Sequence, residues 1–376
     1  MKILFIATAN PFVRSGGGIA NLAYFKAMCA LFPGCVTLAL PEEEIPSDSE
    51  LSILPIKQRS RFDKIITLLT GSIHRYKKSV DKLTREHKFD MCFINGGLYA
   101  GDMVDMLQKR GIKVVVMNHN FEREFQATAY SNPLFRKFFV HYTIKNERNS
   151  YLKADINCFI TEEDKNLFYN AYGPNNGKNY NVGVFDPYNE ELVQDSVKDE
   201  KFTIVISGSC NADQTIDGIR YFYDNYWQIV REVIPDYRLL ITGRSADKLY
   251  SVFPDFRDEH VEILPNPDDI NKVVSRAHLY LCPINVGGGL KLRVMDGLKA
   301  GLPVLVHKVS YRGYEAFHDK PYLCVYDDKL SFVDGLKSLY EYALNKNSGS
   351  SIMDEYKKVF GIESGINKFR KVFSEE

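Results

Sequence analysis

The stretch PINVGGGLKLRVMDGLKAGLPV, Pro283 to Val304, constrains the fold of this chain more than any other. An apolar run, Leu279 to Cys282, leads into three consecutive glycines, Gly287, Gly288 and Gly289. A segment with helical periodicity follows, then Gly301, Pro303 and a second apolar run. That order reads as strand, tight glycine loop, helix N-terminus, strand. Such a loop offers backbone N–H groups and the positive end of a helix dipole to an anion. Lys291 and Arg293 add formal positive charge at the same helix start. Arg293 and Asp296 are three apart and share a helix face, while Lys291 points elsewhere. An arginine beside an anion site, with a carboxylate one turn deeper, suits a diphosphate joined to a ribose.

Short β-rich runs alternate with longer helical patterns along most of the chain, which predicts α/β layers with parallel sheets. In the first half the strand candidates are Lys2–Thr8, Val36–Leu40, Asp90–Asn95, Lys113–Met117 and Asp155–Ile160. Helical patterns span Ile19–Leu31, Arg61–His87 and Leu134–Leu152, and Thr161 is placed to cap a further helix opening on acids. The second half restarts with Phe202–Ser207, Tyr237–Thr242, Val261–Leu264, Leu279–Pro283 and Pro303–His307, between helices near Ile216–Val233 and Leu290–Lys299. The polar segment Asp186–Lys201 reads as a linker. A chain of 376 residues is long for one domain. The expected division is 1–188, 201–350 and a helical 351–376 that crosses back to the first domain. A cleft between two such domains is expected.

The seven cysteines stand singly, with no CxxC pair and no His/Cys cluster of metal spacing. A reduced, cytoplasmic setting fits them. The N-terminal apolar run is too short for a signal peptide, and no run approaches the roughly 20 residues that span a bilayer. Formal net charge is zero but uneven: Ser52–Lys153 holds 19 Lys plus Arg against 9 Asp plus Glu. Its stretches IHRYKKSVDK and LFRKFFVHY interleave cations with aromatics. A near-neutral pI argues against nucleic acid, which leaves an anionic lipid surface, a phosphate-bearing acceptor or a solvated basic face.

Other candidate residues fall where α/β sheets present ligands, at strand carboxyl ends. Gly16, Gly17 and Gly18 follow the first strand as SGGG, which is not a dinucleotide fingerprint; they either close a turn or face a ligand. His119, in NHNFERE, follows the strand ending at Met117 and can bond a sugar hydroxyl or a phosphate. Glu122 and Glu124 beside it read as solvated, and Asp268 and Asp269 as caps of a helix at Ile270. Arg244 follows Gly243 at another strand end, either as a site residue or as a solvated arginine. With no DxD motif, a diphosphate here must be neutralised by side-chain cations and helix dipoles.

Pro283–Val304 resembles the signature of GT-B glycosyltransferases, in particular the large family GT4 of retaining enzymes. The resemblance is collinear: ISGSCNADQTIDGIRYFY (206–223) is similar to the block opening the family's nucleotide-binding domain. LLITGR (239–244) resembles its second strand, NHNFERE its HNxE motif, and KNERNSYLKADINCFITEED (145–164) the segment after that motif. The resemblance implies an α/β chain of GT-B fold, with two Rossmann-like β/α/β domains facing across a central cleft. The first would bind the acceptor and the second the nucleotide-sugar. Lys291 and Arg293 would neutralise the leaving diphosphate, and Asp296 would hold the ribose hydroxyls. Gly289 and Leu290 would offer N–H groups, Gly288, Gly208, Gly17 and Arg244 would be further donor contacts, and His119 would act at the donor sugar or reacting phosphate. The family's EX7E pattern would put glutamates where this chain has Gly288 and Asp296, and Gln214 and Thr215 replace its usual Pro-Asn pair.

The implied function is a metal-independent, retaining glycosyltransferase in cell-surface polysaccharide or glycan assembly. It needs no cofactor beyond its substrate, a UDP-, GDP- or dTDP-sugar. Its acceptor is a saccharide or lipid-linked sugar, met in the cytoplasm or at the inner face of the cell membrane. A nucleotide-sugar 2-epimerase, or a catalytically silent nucleotide-sugar-binding subunit, are the alternative readings.

Overall fold

Two all-parallel sheets organise the computed structural model. It describes every residue except 14, 47–50, 58–59, 61, 63–64, 67–69, 71–75, 125–132, 189–196, 346–348 and 375–376. Of the two basic, aromatic-rich stretches, residues 73–75 and the side chains of 134–135 lie outside the described residues. The chain divides into one unit of Met1–Pro187 with Phe360–Glu376, and another of Tyr188–Val359.

In the first unit, β1 (Ile3–Ala7), β2 (Val36–Pro41), β3 (Ile53–Ile56), β4 (Met91–Asn95), β5 (Lys113–Asn118), β6 (Ile156–Phe159) and β7 (Lys178–Asn181) form one sheet. Its order is β3-β2-β1-β4-β5-β6-β7. The central strands β1 and β4 are buried along their whole length, so they appear in sequence as unbroken apolar runs. Both edge strands escaped the sequence reading. β3 (ILPI) carries Pro55, which removes a ladder donor and is tolerated at an edge. β7 (KNYN) is polar and mostly exposed, so it lacks the apolar signal of a strand. The helix Ile362–Ser374 packs on this unit: the Phe369 ring lies 5.8 Å from Tyr24, 5.8 Å from Phe93 and 5.9 Å from Phe185.

In the second unit, β8 (Phe202–Ser207), β9 (Tyr237–Gly243), β10 (Val261–Pro265), β11 (Leu279–Cys282), β12 (Val304–His307) and β13 (Leu323–Tyr326) form a sheet of order β10-β9-β8-β11-β12-β13. The helical pattern Ile216–Val233 is two helices, Asp213–Asn225 and Trp227–Val233. Tyr226 leaves the helical backbone (φ −130°, ψ −20°) and stacks on Phe332 at 4.5 Å. Packing overrides local propensity there. The expected caps at Thr161 and Asp269 accept backbone N–H groups from Asp164 and from Asn271 and Lys272. No helix among the described residues is long and apolar enough to cross a membrane.

Each sheet reverses its strand order once, between β1 and β4 in the first and between β8 and β11 in the second. Loops leaving neighbouring strands there run to opposite faces and open a crevice at the carboxyl ends. Thr8–Val13 and Asn95–Gly97 border one crevice, and Ser207–Gly208 and Pro283–Lys291 border the other.

Candidate functional site

In the second unit the crevice is built around the glycine loop. Gly287 has φ +88° and Gly289 has φ +68°, backbone states that favour glycine. A β-carbon on Gly287 would also stand 2.6 Å from Gln214 Nε2 and 3.0 Å from Lys291 Nζ. The loop ends on the helix Leu292–Lys299, whose N-cap residue, Lys291, supplies no side-chain cap. Its first N–H groups and dipole therefore face the crevice uncapped.

Arg293 Nη1 donates to Asp296 Oδ2 at 2.8 Å, and Ser207 Oγ donates to the same oxygen at 3.0 Å. Ser207 Oγ also lies 2.7 Å from the buried Tyr280 hydroxyl. The Asp296 carboxylate holds the Arg293 guanidinium above its ordinary pKa, and burial pushes the Tyr280 hydroxyl up. Gly297 makes this arrangement possible: a β-carbon there would lie 2.6 Å from Tyr280 Cγ, so only glycine lets the helix rest on that ring. Lys291 is 8% exposed, and its Nζ donates to Gly288 O at 2.9 Å and to Gln214 Oε1 at 3.4 Å. Burial pulls its pKa down, the nearby Cys282 sulfur opposes that, and the Arg312 charge adds to it.

Gly208 follows β8, and a β-carbon there would meet Thr215 Cγ2 at 2.9 Å. Arg244 is exposed after β9, on the side of β8 away from β11. Its carbonyl oxygen accepts from Cys210 N at 2.8 Å, which places it beside the loop that leaves β8.

In the first unit the parallel register sets Asn95 opposite Met117, which brings His119 over the end of β4. His119 Nε2 lies 2.5 Å from Asn95 Oδ1, and burial pushes the imidazole down to about 4. The neutral ring is therefore the form at neutral pH. An acceptor at Nε2 assigns its proton to that nitrogen and leaves Nδ1 a lone pair. The Tyr24 ring stands 5.9 Å from the imidazole, and Tyr24 OH donates to Gly183 O at 2.8 Å. Gly17, in the first turn of the helix Gly16–Leu31 that follows β1, is exposed, and a β-carbon there would approach Ala9 Cβ at 3.1 Å.

The segment after His119 is held by Glu147, which is 1% exposed. Its Oε2 accepts from Glu122 N at 2.6 Å and its Oε1 from Tyr172 OH at 2.6 Å. Burial pushes this carboxyl up to about 8, opposed by the hydrogen bonds from Tyr172 and the backbone of Glu122 and Arg123. Among the described residues no group of three His, Cys, Asp or Glu side chains is placed to hold a metal ion.

Residues 201–342 match the family model described as glycosyl transferases group 1. The match lies wholly within the second unit. No curated protein matches the chain in sequence. Among solved structures it is similar to HepE of Anabaena in complex with UDP, with 11% identity over 100% of both chains and a TM-score of 0.67. It is similar to WaaG, a glycosyltransferase involved in lipopolysaccharide biosynthesis, with 13% identity over 100% of both chains and a TM-score of 0.66. A third likeness is to sucrose-phosphate synthase from Thermosynechococcus elongatus, with 12% identity over 100% of both chains and a TM-score of 0.67. The fold is GT-B.

The structure gathers Lys291, Arg293, Asp296 and Gly287–Leu290 at one strand end, with Gly208 just after the neighbouring strand. Sequence reasoning missed Ser207, Tyr280, Asn95 and Glu147. Ser207 and Asn95 do carry a signal: each is the polar last residue of an apolar strand, directly before a glycine. Tyr280 and Glu147 carry none, since each sits inside an element whose pattern reads as structural.

Proposed function

We propose that this chain is a retaining, metal-independent glycosyltransferase that moves a sugar from a nucleotide-sugar to a saccharide or lipid-linked acceptor in cell-surface glycan assembly. In this reading the second unit binds the donor and the first the acceptor. The observation that carries it is the Arg293–Asp296–Ser207 group beside an uncapped helix N-terminus at the switch point of β8 and β11. Asp296 takes the ribose hydroxyls through its remaining oxygen. Arg293, with only Nη1 committed to Asp296, turns its other N–H groups to the diphosphate.

Charge develops on the diphosphate as the glycosidic bond breaks. Lys291, Arg293, the helix dipole and the N–H groups of Gly289 and Leu290 stabilise it before the reaction begins, so a divalent ion is not required. Gly288, Gly208, Gly17 and Arg244 complete the donor contacts. His119, neutral and oriented by Asn95, offers a hydrogen-bonding nitrogen to a sugar or phosphate oxygen. The first unit's basic stretches suit a phosphate-bearing acceptor or an anionic membrane surface.

A thermal-shift screen against UDP-, GDP-, dTDP- and ADP-sugars, followed by nucleoside diphosphate release with an acceptor-rich extract, tests the reading. Sugar transfer that persists in EDTA supports it. Binding without turnover favours a silent subunit, and transfer abolished by EDTA and restored by Mg²⁺ overturns the metal-free mechanism.

A further inference from the structure

We propose that Arg312 is a further substrate-binding residue, taking an anionic oxygen group of the donor beside Gly288. The inference rests on the donor-site reading of the second unit and adds a residue to it from outside the Pro283–Val304 stretch.

Arg312 lies in the segment after β12, and two hydrogen bonds lock that segment onto the glycine loop. Ser310 Oγ donates to Ile284 O at 2.6 Å, and Tyr314 OH donates to Lys291 O at 2.7 Å. Both side chains are fully buried, and their acceptors stand at the two ends of the loop. Arg312 sits midway between these anchors. Its Nη1 comes 3.6 Å from where a Gly288 β-carbon would lie, and beyond Gly288 and its two chain neighbours no other atom lies within 4 Å of that point. A side chain at position 288 would thus stand against the Arg312 guanidinium, whose Nη1 is itself buried.

The arrangement concentrates charge of one sign. Lys291 Nζ bonds Gly288 O at 2.9 Å, and the charge of Arg312 helps pull the Lys291 pKa down. Arg293, the second residue of the helix, is paired with Asp296. Like charges held this close raise one another's free energy, and an anion entering between them relieves it. A guanidinium fork matches a phosphate or carboxylate with two parallel hydrogen bonds. The shared chemistry is therefore an anionic oxygen group. It has two sources in a nucleotide-sugar, the diphosphate or the carboxylate of a hexuronosyl group.

The test begins with the intact chain and UDP, GDP, dTDP and ADP in a thermal-shift screen. The nucleotide that binds is carried into calorimetry with its nucleoside, its glucose conjugate and its glucuronate conjugate, against Arg312→Gln and Arg312→Lys. Arg312→Gln is expected to lose affinity about tenfold or more, and Arg312→Lys to keep part of it. Loss shared by the nucleoside diphosphate and both conjugates, but not the nucleoside, identifies the diphosphate. Loss confined to the glucuronate conjugate identifies the sugar carboxylate. Should Arg312→Gln melt early in the unligated state, Arg312→Lys carries the same comparison. Unchanged affinity for all ligands overturns the proposal, and if Arg293→Ala still weakens nucleotide binding, the donor-site reading stands without it. A wild-type chain that binds none of the four nucleotides removes that reading, and this inference with it.

Discussion

Ser207, the last residue of β8, donates to Asp296 Oδ2 at 3.0 Å across 89 residues of sequence. The bond ties the end of one strand to the helix that follows another. It fixes the carboxylate that also holds Arg293 at 2.8 Å. Ser207→Ala removes one donor and leaves the Arg293 pair in place. A hydrogen bond to a charged group contributes about 1.5–3 kcal/mol, part of which Arg293 retains here. Affinity for the nucleoside and the nucleoside diphosphate should fall together, by about fivefold or more, in calorimetry. Unchanged affinity for both would detach Asp296 from ribose binding.

Arg293→Ala should discriminate between the same two ligands. The proposed arginine contacts lie on the diphosphate, so the nucleoside diphosphate should lose at least about tenfold in affinity. The nucleoside should lose much less. Equal losses for both would sink the phosphate assignment.

His119 gives a pH dependence with a definite sign. Burial holds its folded-state pKa at about 4, below the 6.5 of an ordinary imidazole. Between those values the unfolded chain binds more protons than the folded chain, so this group makes stability fall as pH drops from about 6.5 toward 4. His119→Gln lacks the titration. In urea unfolding, the wild type should lose more stability than the variant between pH 7 and pH 5. Parallel curves would mean the imidazole titrates normally.

Gly297→Ala tests the packing beneath the donor site. The added methyl would meet Tyr280 Cγ at 2.6 Å, so the helix Leu292–Lys299 must lift from the ring. Overpacking of this kind costs about 1–3 kcal/mol. Melting temperature should fall by several degrees, and nucleotide affinity should fall with it as Asp296 shifts away from Ser207. A variant that melts and binds like the wild type would show that the helix can move freely.

The central strands were legible because burial on both faces demands unbroken apolar runs, as in ILFIA of β1 and FTIVIS of β8. The edge strands of the first sheet were not, since one carries Pro55 and the other is polar. The Arg293–Asp296 pair was readable from a spacing of three, because a helix fixes which near neighbours meet. The break at Tyr226 was not, because its cause is a ring contact with Phe332.

By itself, then, the sequence determined the alternation of strands and helices, the glycine loop, and the cation and carboxylate on its helix. Those features depend on contacts a few residues long. Tertiary structure decided which strand ends lie side by side. Through that it placed Ser207 on Asp296, Asn95 on His119 and Glu147 under the Glu122 backbone. Such partners are chosen by strand order and register, and local spacing carries no record of either.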